Sequence, residues 1–279
     1  MENITINISA GKKCNFDCKY CFDQTVPKIK KYDQLRFSDD MIPFLLNMHK
    51  KYSIKHVWFS GGEPMLVRNI VDVISTLTNN GILVGMNTNL TASFTKLIQS
   101  SDTSNIIFQP AIHFAELERH GKKDIFIKNY NELKNTSKAT IIPIAIAYPE
   151  ITKDDVKKYR DEFTGKHGIE FTFTPYMGIH KDIRYPEKYQ QDQIDYFGIQ
   201  KIIDDTHNNL DIHNKGVLCY AGANHILITD SGDVYPCDDI YYQTVPGWHL
   251  GHISEGIVEL FNSPIKCPTT HCGCPFFRA

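Results

Sequence analysis

Short apolar runs alternate with stretches whose apolar residues recur at helical spacing, from the N-terminus to about residue 210. Segments 4–8, 56–59, 83–86, 106–112, 141–147 and 169–173 read as six strands, with helices near 67–79, 91–99, 122–135 and 152–163. A further helix is predicted after Ser38, which stands as its cap. Asp39 and Asp40 occupy its first turn, where the positive end of the dipole favours acids. Met41, Phe44, Leu45 and Met48 form its apolar stripe. Such alternation makes a parallel sheet with right-handed crossovers. Six units are two short of a closed eight-stranded β/α barrel. The expected fold over residues 1–210 is therefore α/β, and in barrels of such units chemistry sits at the C-terminal ends of the strands.

From about residue 211 the pattern changes. Five of the eight cysteines lie there, and residues 220–236 read as a β-hairpin turning at Asp230-Ser231-Gly232. The hairpin sets Cys219 and Cys237 near its open ends. A small cysteine-rich second unit over 211–279 is expected.

Composition narrows the function classes. The chain has 279 residues, 42% apolar and 22% charged, with 30 basic against 32 acidic side chains. No arginine-rich stripe points to nucleic acid. The first residues lack the basic flank and apolar core of a signal peptide, and no apolar run approaches the ~20 residues of a membrane span. Eight cysteines without a secretion signal indicate metal ligation in a reducing cytoplasm.

The sharpest local signal is Cys14-Asn15-Phe16-Asp17-Cys18-Lys19-Tyr20-Cys21. Three thiolates in one loop can hold three irons of a [4Fe–4S] cube and leave the fourth open to a small molecule. Zinc wants four ligands, and the next cysteine is Cys219. The CxxxCxxC spacing, with aromatic Tyr20 before the last cysteine, resembles the signature of the radical S-adenosylmethionine (SAM) enzymes. The resemblance implies that the open iron chelates the amino and carboxyl groups of SAM. It also implies a partial (β/α)6 barrel open on one side.

The same resemblance extends to two further turns. Gly61-Gly62-Glu63-Pro64, about forty residues on, matches the family motif whose backbone binds the SAM amino group; alone it would read as a strand-to-helix turn with Pro64 opening the helix. Asn87-Thr88-Asn89 stands where relatives carry a polar Thr-Asn pair, though Leu90 replaces the glycine that commonly follows. Gln109 and His113 are candidates for ribose contacts, and Ile144–Ala147 and Thr172–Pro175 for walls around adenine. Glu116 to His120 read as a solvated helix start that borders the site. Tyr176, His180, Arg184, Tyr185 and Tyr189 would suit a sugar or a peptide.

Cys219, twelve residues, Gly232, four residues, Cys237 resembles the opening of SPASM and Twitch domains, which hold auxiliary iron–sulfur clusters. The shorter Twitch form with one auxiliary [4Fe–4S] cluster fits the cysteine count. Cys267, Cys272 and Cys274 would close it; zinc held by four thiolates would use the same residues. Cys272 and Cys274 are a tight reach for two corners of one cube, which makes one of them a spare, either a hydrogen-atom donor or a structural thiol. His213, His225, His249 and His252 read mostly as surface residues.

The resemblance implies the chemistry. A one-electron donor such as flavodoxin or ferredoxin reduces the first cluster, SAM is cleaved, and a 5′-deoxyadenosyl radical abstracts hydrogen from a peptide or carbohydrate-like substrate. The short stretch before Cys14 weighs against a leader-guided peptide maturase. Without a vicinal thiol after Cys237, net oxidation is expected over epimerisation. The other reading is a non-catalytic iron–sulfur protein for electron transfer or sensing, which would need neither the Gly-Gly-Glu-Pro nor the Asn-Thr-Asn turn.

Overall fold

The computed structural model describes residues 3–21, 36–204 and 215–269. Alternate residues of β1 (Ile4–Ser9) are buried, namely Ile4, Ile6 and Ile8, with half-buried Thr5, Asn7 and Ser9 between them. The next strands repeat this register. In β2 (Ile54–Ser60), Val57 and Phe59 lie beside Ile6 and Ile8, and in β3 (Leu83–Thr88) Val84 and Met86 lie beside Val57 and Phe59. In β4 (Ile106–Pro110), Ile106 and Phe108 continue the rows. These side chains share one core with the apolar faces of α1 (Met41–Tyr52), α2 (Ile70–Asn79), α3 (Thr95–Ser100), α4 (Phe114–Arg119) and α5 (Lys123–Thr136). Alternation sends the intervening residues to the other face, which is polar: Thr5 pairs with His56, Asn7 with Trp58, Ser9 with Ser60 and Asn87 with Gln109.

Two expected strands shift because backbone groups are claimed elsewhere. The predicted strand 141–147 is split into β5 (Thr140–Ile141) and β6 (Ile144–Ala147), with Pro143, which has no amide to donate, in the break. The sixth strand is displaced to β7 (Thr172–Pro175). Ile169 instead donates to Phe163 O at 2.9 Å, and its carbonyl accepts from Thr164 Oγ1, closing the π-helical turn that follows α6 (Lys153–Tyr159). β6 and β7 pair in parallel and join β4 through an Ala111–Ile144 bridge. The helix after Ser38 starts at Met41, with Asp40 as its N-cap. Ser38 Oγ accepts the Asp40 amide, and Asp39 pairs with Arg36, so the two acids precede the first turn.

After β7 come a hairpin of β8 (Gly178–His180) and β9 (Ile183–Tyr185), then α7 (Gln191–Phe197). The remaining elements are β10 (Leu218–Cys219), β11 (His225–Ile228), β12 (Asp233–Tyr235), α8 (Asp238–Tyr242), β13 (Gly251–His252) and β14 (Ile265–Lys266). The main sheet runs β13-β12-β11-β1-β2-β3-β4-β5. It is parallel from β11 to β5 and antiparallel at β11–β12 and β12–β13. This mostly parallel sheet is consistent with a partial barrel. β11 lies directly beside β1, with Thr5 opposite His225 and Ile8 opposite Ile228, so the segment after residue 211 adds strands to the same sheet. Among the described residues no helix is long and apolar enough to cross a membrane.

Candidate active site

The C-terminal ends of β1, β2 and β3 carry the three turns singled out in the sequence, and backbone bonds join the first two. Ala10 N donates to Ser60 O at 2.7 Å, Gly62 N to Gly11 O at 2.7 Å and Glu63 N to Lys13 O at 2.8 Å. This contact explains both glycines. Gly61 has φ +107°, and a Cβ there would lie 2.6 Å from Gly11 O; one on Gly62 would lie 2.2 Å from Lys13 O.

Glu63 ties in the third turn. Its carboxylate is buried and accepts from Met65 N (3.1 Å) and Thr88 Oγ1 (2.8 Å) through one oxygen, and from Asn89 N (2.7 Å) through the other. Asn89 Nδ2 then donates to Asn15 Oδ1 at 2.7 Å and reaches Cys14 Sγ at 3.7 Å, while Asn15 Nδ2 donates to Thr91 Oγ1 at 2.8 Å. The Glu63 side chain is thus a brace between turns. Burial pushes its carboxyl up to about 7 against the pull of these donors. A carboxyl raised on folding contributes stability at low pH that is lost as pH rises. The metal-free protein is therefore expected to lose stability between about 4.5 and about 7, the unfolded and folded values. Glu63→Gln should flatten that part of a denaturant-midpoint profile; an unchanged slope would assign the titration to another group.

Leu90, in the place of the usual glycine, adopts φ 56°. The left-handed conformation is kept although the residue is not glycine. It is held by Thr88 Oγ1 accepting the Leu90 amide and by Asn129 Nδ2 donating to the Leu90 and Ala92 carbonyls. These bonds keep residues 90–94 irregular and delay α3 to Thr95. Asn87 Oδ1 accepts from Trp58 Nε1 at 3.2 Å, and the indole lies over Gly85, where a Cβ would clash at 1.9 Å. Asn87 and Gln109, register partners, thus sit on the polar face of the sheet below the turns.

In the cysteine loop, Cys21 N donates to Cys18 O at 3.0 Å and Phe16 N to Cys14 Sγ at 3.4 Å. Cys14 is exposed, Cys18 buried and Cys21 half-buried, and none of the three is in a disulfide. Burial raises the Cys14 and Cys18 thiols, and the Cys21 charge is felt at both. Among the described residues no three Cys, His, Asp or Glu side chains converge on a single ion. Three cysteines on one loop suit a [4Fe–4S] cluster with one open iron.

His113, a candidate for the ribose, meets Tyr20 of the cysteine loop. It is half-buried, and its Nδ1 lies 3.0 Å from the Tyr20 hydroxyl, with the two rings stacked at 5.8 Å. Burial lowers it to about 4, so it is neutral at pH 7. Tyr20 also packs against Tyr148, whose hydroxyl lies 2.9 Å from His180 Nδ1. Three readings are corrected. Glu116 and Leu117 are buried rather than solvated, because α4 lies against the cysteine loop. Tyr176, Tyr185 and Tyr189 are core residues, the Tyr189 hydroxyl accepting the Tyr176 amide and donating to Ala147 O. His225 is buried beside Thr5 Oγ1 (2.9 Å), with Asp238 3.8 Å from its Nε2. Sequence reading missed Asn15, Thr91, Asn129 and Tyr148. Asn15 and Thr91 each lie within two residues of a recognised motif, but nothing local ties Asn129 or Tyr148 to it.

Farther along, Cys219 and Cys237 meet in a small apolar cluster with Ala221, Ile240, Val245 and Trp248. β10 pairs with β14, and Cys267 N donates to Val217 O at 2.8 Å, which brings Cys267 to the strand that ends in Cys219. Cys272 and Cys274, like His213, lie outside the described residues.

Residues 8–163 match the model of the radical SAM superfamily. A GTP 3′,8-cyclase of Listeria monocytogenes is 24% identical over 195 residues, 66% of this chain and 57% of that protein. The chain thus spans a little over half the length of this curated relative. Among solved structures, Streptococcus suis SuiB bound to S-adenosylmethionine superposes with a TM-score of 0.60 at 15% identity, covering 90% of this chain and 64% of that one. The same protein bound to its precursor peptide SuiA gives 0.57 at 15% identity, covering 89% and 62%. anSMEcpe with bound AdoMet gives 0.60 at 15% identity, covering 91% and 76%. At this identity the superpositions establish a shared fold. The family match covers more than half of the chain, and with it come the expected [4Fe–4S] cluster and SAM: the protein belongs to the radical SAM superfamily.

Proposed function

We propose that this chain uses a cluster on Cys14, Cys18 and Cys21 to cleave SAM reductively and oxidise a peptide or carbohydrate-like substrate. The observation that carries the reading is the joining of three strand-end turns through Glu63, Asn89 and the glycine contacts. It fixes a cysteine loop beside a Gly-Gly-Glu-Pro turn whose carboxylate is already spent, which leaves the SAM amino group to main-chain carbonyls. The bound cluster and SAM supply the one-electron cleavage and the carbon radical. The protein's part is to hold the cysteine loop, to place Tyr20 beside it and to present a polar sheet face (Asn7, Trp58, Asn87, Gln109) for cofactor and substrate.

Cys219, Cys237 and Cys267, with one of Cys272 and Cys274, would hold an auxiliary [4Fe–4S] cluster able to take the substrate's second electron. Flavodoxin or ferredoxin would supply the first. A peptide-bound structure in a similar fold supports the peptide reading, and the Listeria relative's name makes GTP the natural competitor.

Anaerobic incubation with SAM and dithionite should yield 5′-deoxyadenosine; none would end the reading. Peptides, aminocyclitols and GTP can then be compared by the 5′-deoxyadenosine each elicits. Oxidation predicts a product lighter by two hydrogens. A product of unchanged mass that gains deuterium from heavy water would establish an epimerase instead.

A further inference from the structure

α4 grips the cysteine loop between its first two ligands. Glu116, 5% exposed, accepts the Asp17 amide at 3.1 Å. Arg119 pairs with Glu116 and reaches the Asp17 carbonyl at 3.4 Å. His120, which ends the helix, lies 3.5 Å from the same carboxylate and stacks on Phe16 at 5.4 Å. Burial alone would raise the Glu116 carboxyl, but the Asp17 amide and Arg119 outweigh it and keep the group ionised. Its charge is felt at Cys18.

We propose that Glu116 is a positioning residue that holds the reduction potential of the Cys14/Cys18/Cys21 cluster low. The inference rests on the function proposed above. Cluster potentials follow net charge and hydrogen bonds to sulfur. The Glu116 carboxylate, compensated in part by Arg119 but felt at Cys18, disfavours the extra electron of the reduced cluster. Glu116 also claims the Asp17 amide, in a loop where the neighbouring Phe16 amide already points at the Cys14 sulfur. An amide held by a carboxylate is withheld from sulfur, and this too keeps the potential low. A cluster that must pass an electron to SAM gains driving force from both effects.

The two effects separate by substitution. Glu116→Gln keeps an acceptor for Asp17 and removes the charge; Glu116→Ala removes both. Arg119→Gln leaves the carboxylate uncompensated. The reconstituted proteins are titrated electrochemically, following the EPR signal that changes on SAM addition, with iron assayed in parallel. At a fixed poise, Glu116→Gln should raise the reduced-to-oxidised ratio about tenfold, ~59 mV for a one-electron couple. Glu116→Ala should raise it further and Arg119→Gln should lower it. Potentials that stay put, or that move the same way in the Gln variants of Glu116 and Arg119, overturn the inference, as does iron loss in the Glu116 variants with no shift for Arg119→Gln. A wild-type protein without a SAM-sensitive signal overturns the functional reading and this inference with it.

Discussion

Replacing Cys14, Cys18 and Cys21 together by alanine should abolish SAM cleavage and lower the iron of the anaerobically reconstituted protein from about eight to about four atoms per chain. The cleavage needs an open iron, and these are the three cysteines of the loop joined to the Gly-Gly-Glu-Pro turn. The remaining iron would belong to Cys219, Cys237, Cys267 and one of the last two cysteines. The substitutions should spare the fold, since Cys14 is exposed, Cys21 is half-buried and only Cys18 is buried. Circular dichroism of the metal-free variant provides the control. Full iron in the triple variant would remove the assignment, and four irons already in the wild type would remove the auxiliary cluster.

Gly62→Val should destabilise the metal-free protein by about 3 kcal/mol, the upper range for overpacking. The new Cβ would stand 2.2 Å from Lys13 O and 2.6 Å from Lys13 C. Backbone atoms cannot rotate away as a side chain can, so the turn must part from the loop. The Glu63 N to Lys13 O bond goes with it. Because Lys13 precedes Cys14, iron loading should fall together with SAM affinity. Sequence reasoning alone would leave the cluster intact, since Gly62 is not a ligand. Gly165→Ala is the matched control: its nearest atom, Arg160 O, lies 3.9 Å from the added Cβ. Equal denaturation midpoints for the two variants would show that the close approach is not a constraint.

The strands were legible wherever period-two patterning was uninterrupted. Ile4, Ile6, Ile8 and Val57, Phe59 announce both their faces and their partners. Legibility failed where one backbone group decided the matter, as at Pro143 or at the Ile169 amide. The Gly-Gly-Glu-Pro turn could be read because close main-chain approach admits few residue types. The role of Glu63 was half legible: its place was plain, but its use as a brace depends on Thr88 and Asn89, which reach it through tertiary contact. Glu116 was misread because a helix start of Glu, Glu, Arg and His is solvent-facing by composition. Only its packing against Asp17 reveals otherwise. Its spacing held a clue, since Glu116, Arg119 and His120 fall at i, i+3 and i+4 on one helix face.

The placing of β11 beside β1 has a consequence for how the chain reaches its native state. Thr5 and His225 meet across 220 residues of sequence. Pairings this distant close slowly, because the entropy of the intervening chain is lost before the contact gives anything back. β2 can cover one side of β1 early, yet the other side offers its amides and carbonyls to any strand until residues 225–228 have been synthesised. Of β1 to β4, the strand that delivers the cysteine loop is therefore the last to be flanked on both sides. Chains arrested before His225 should be the aggregation-prone species during expression.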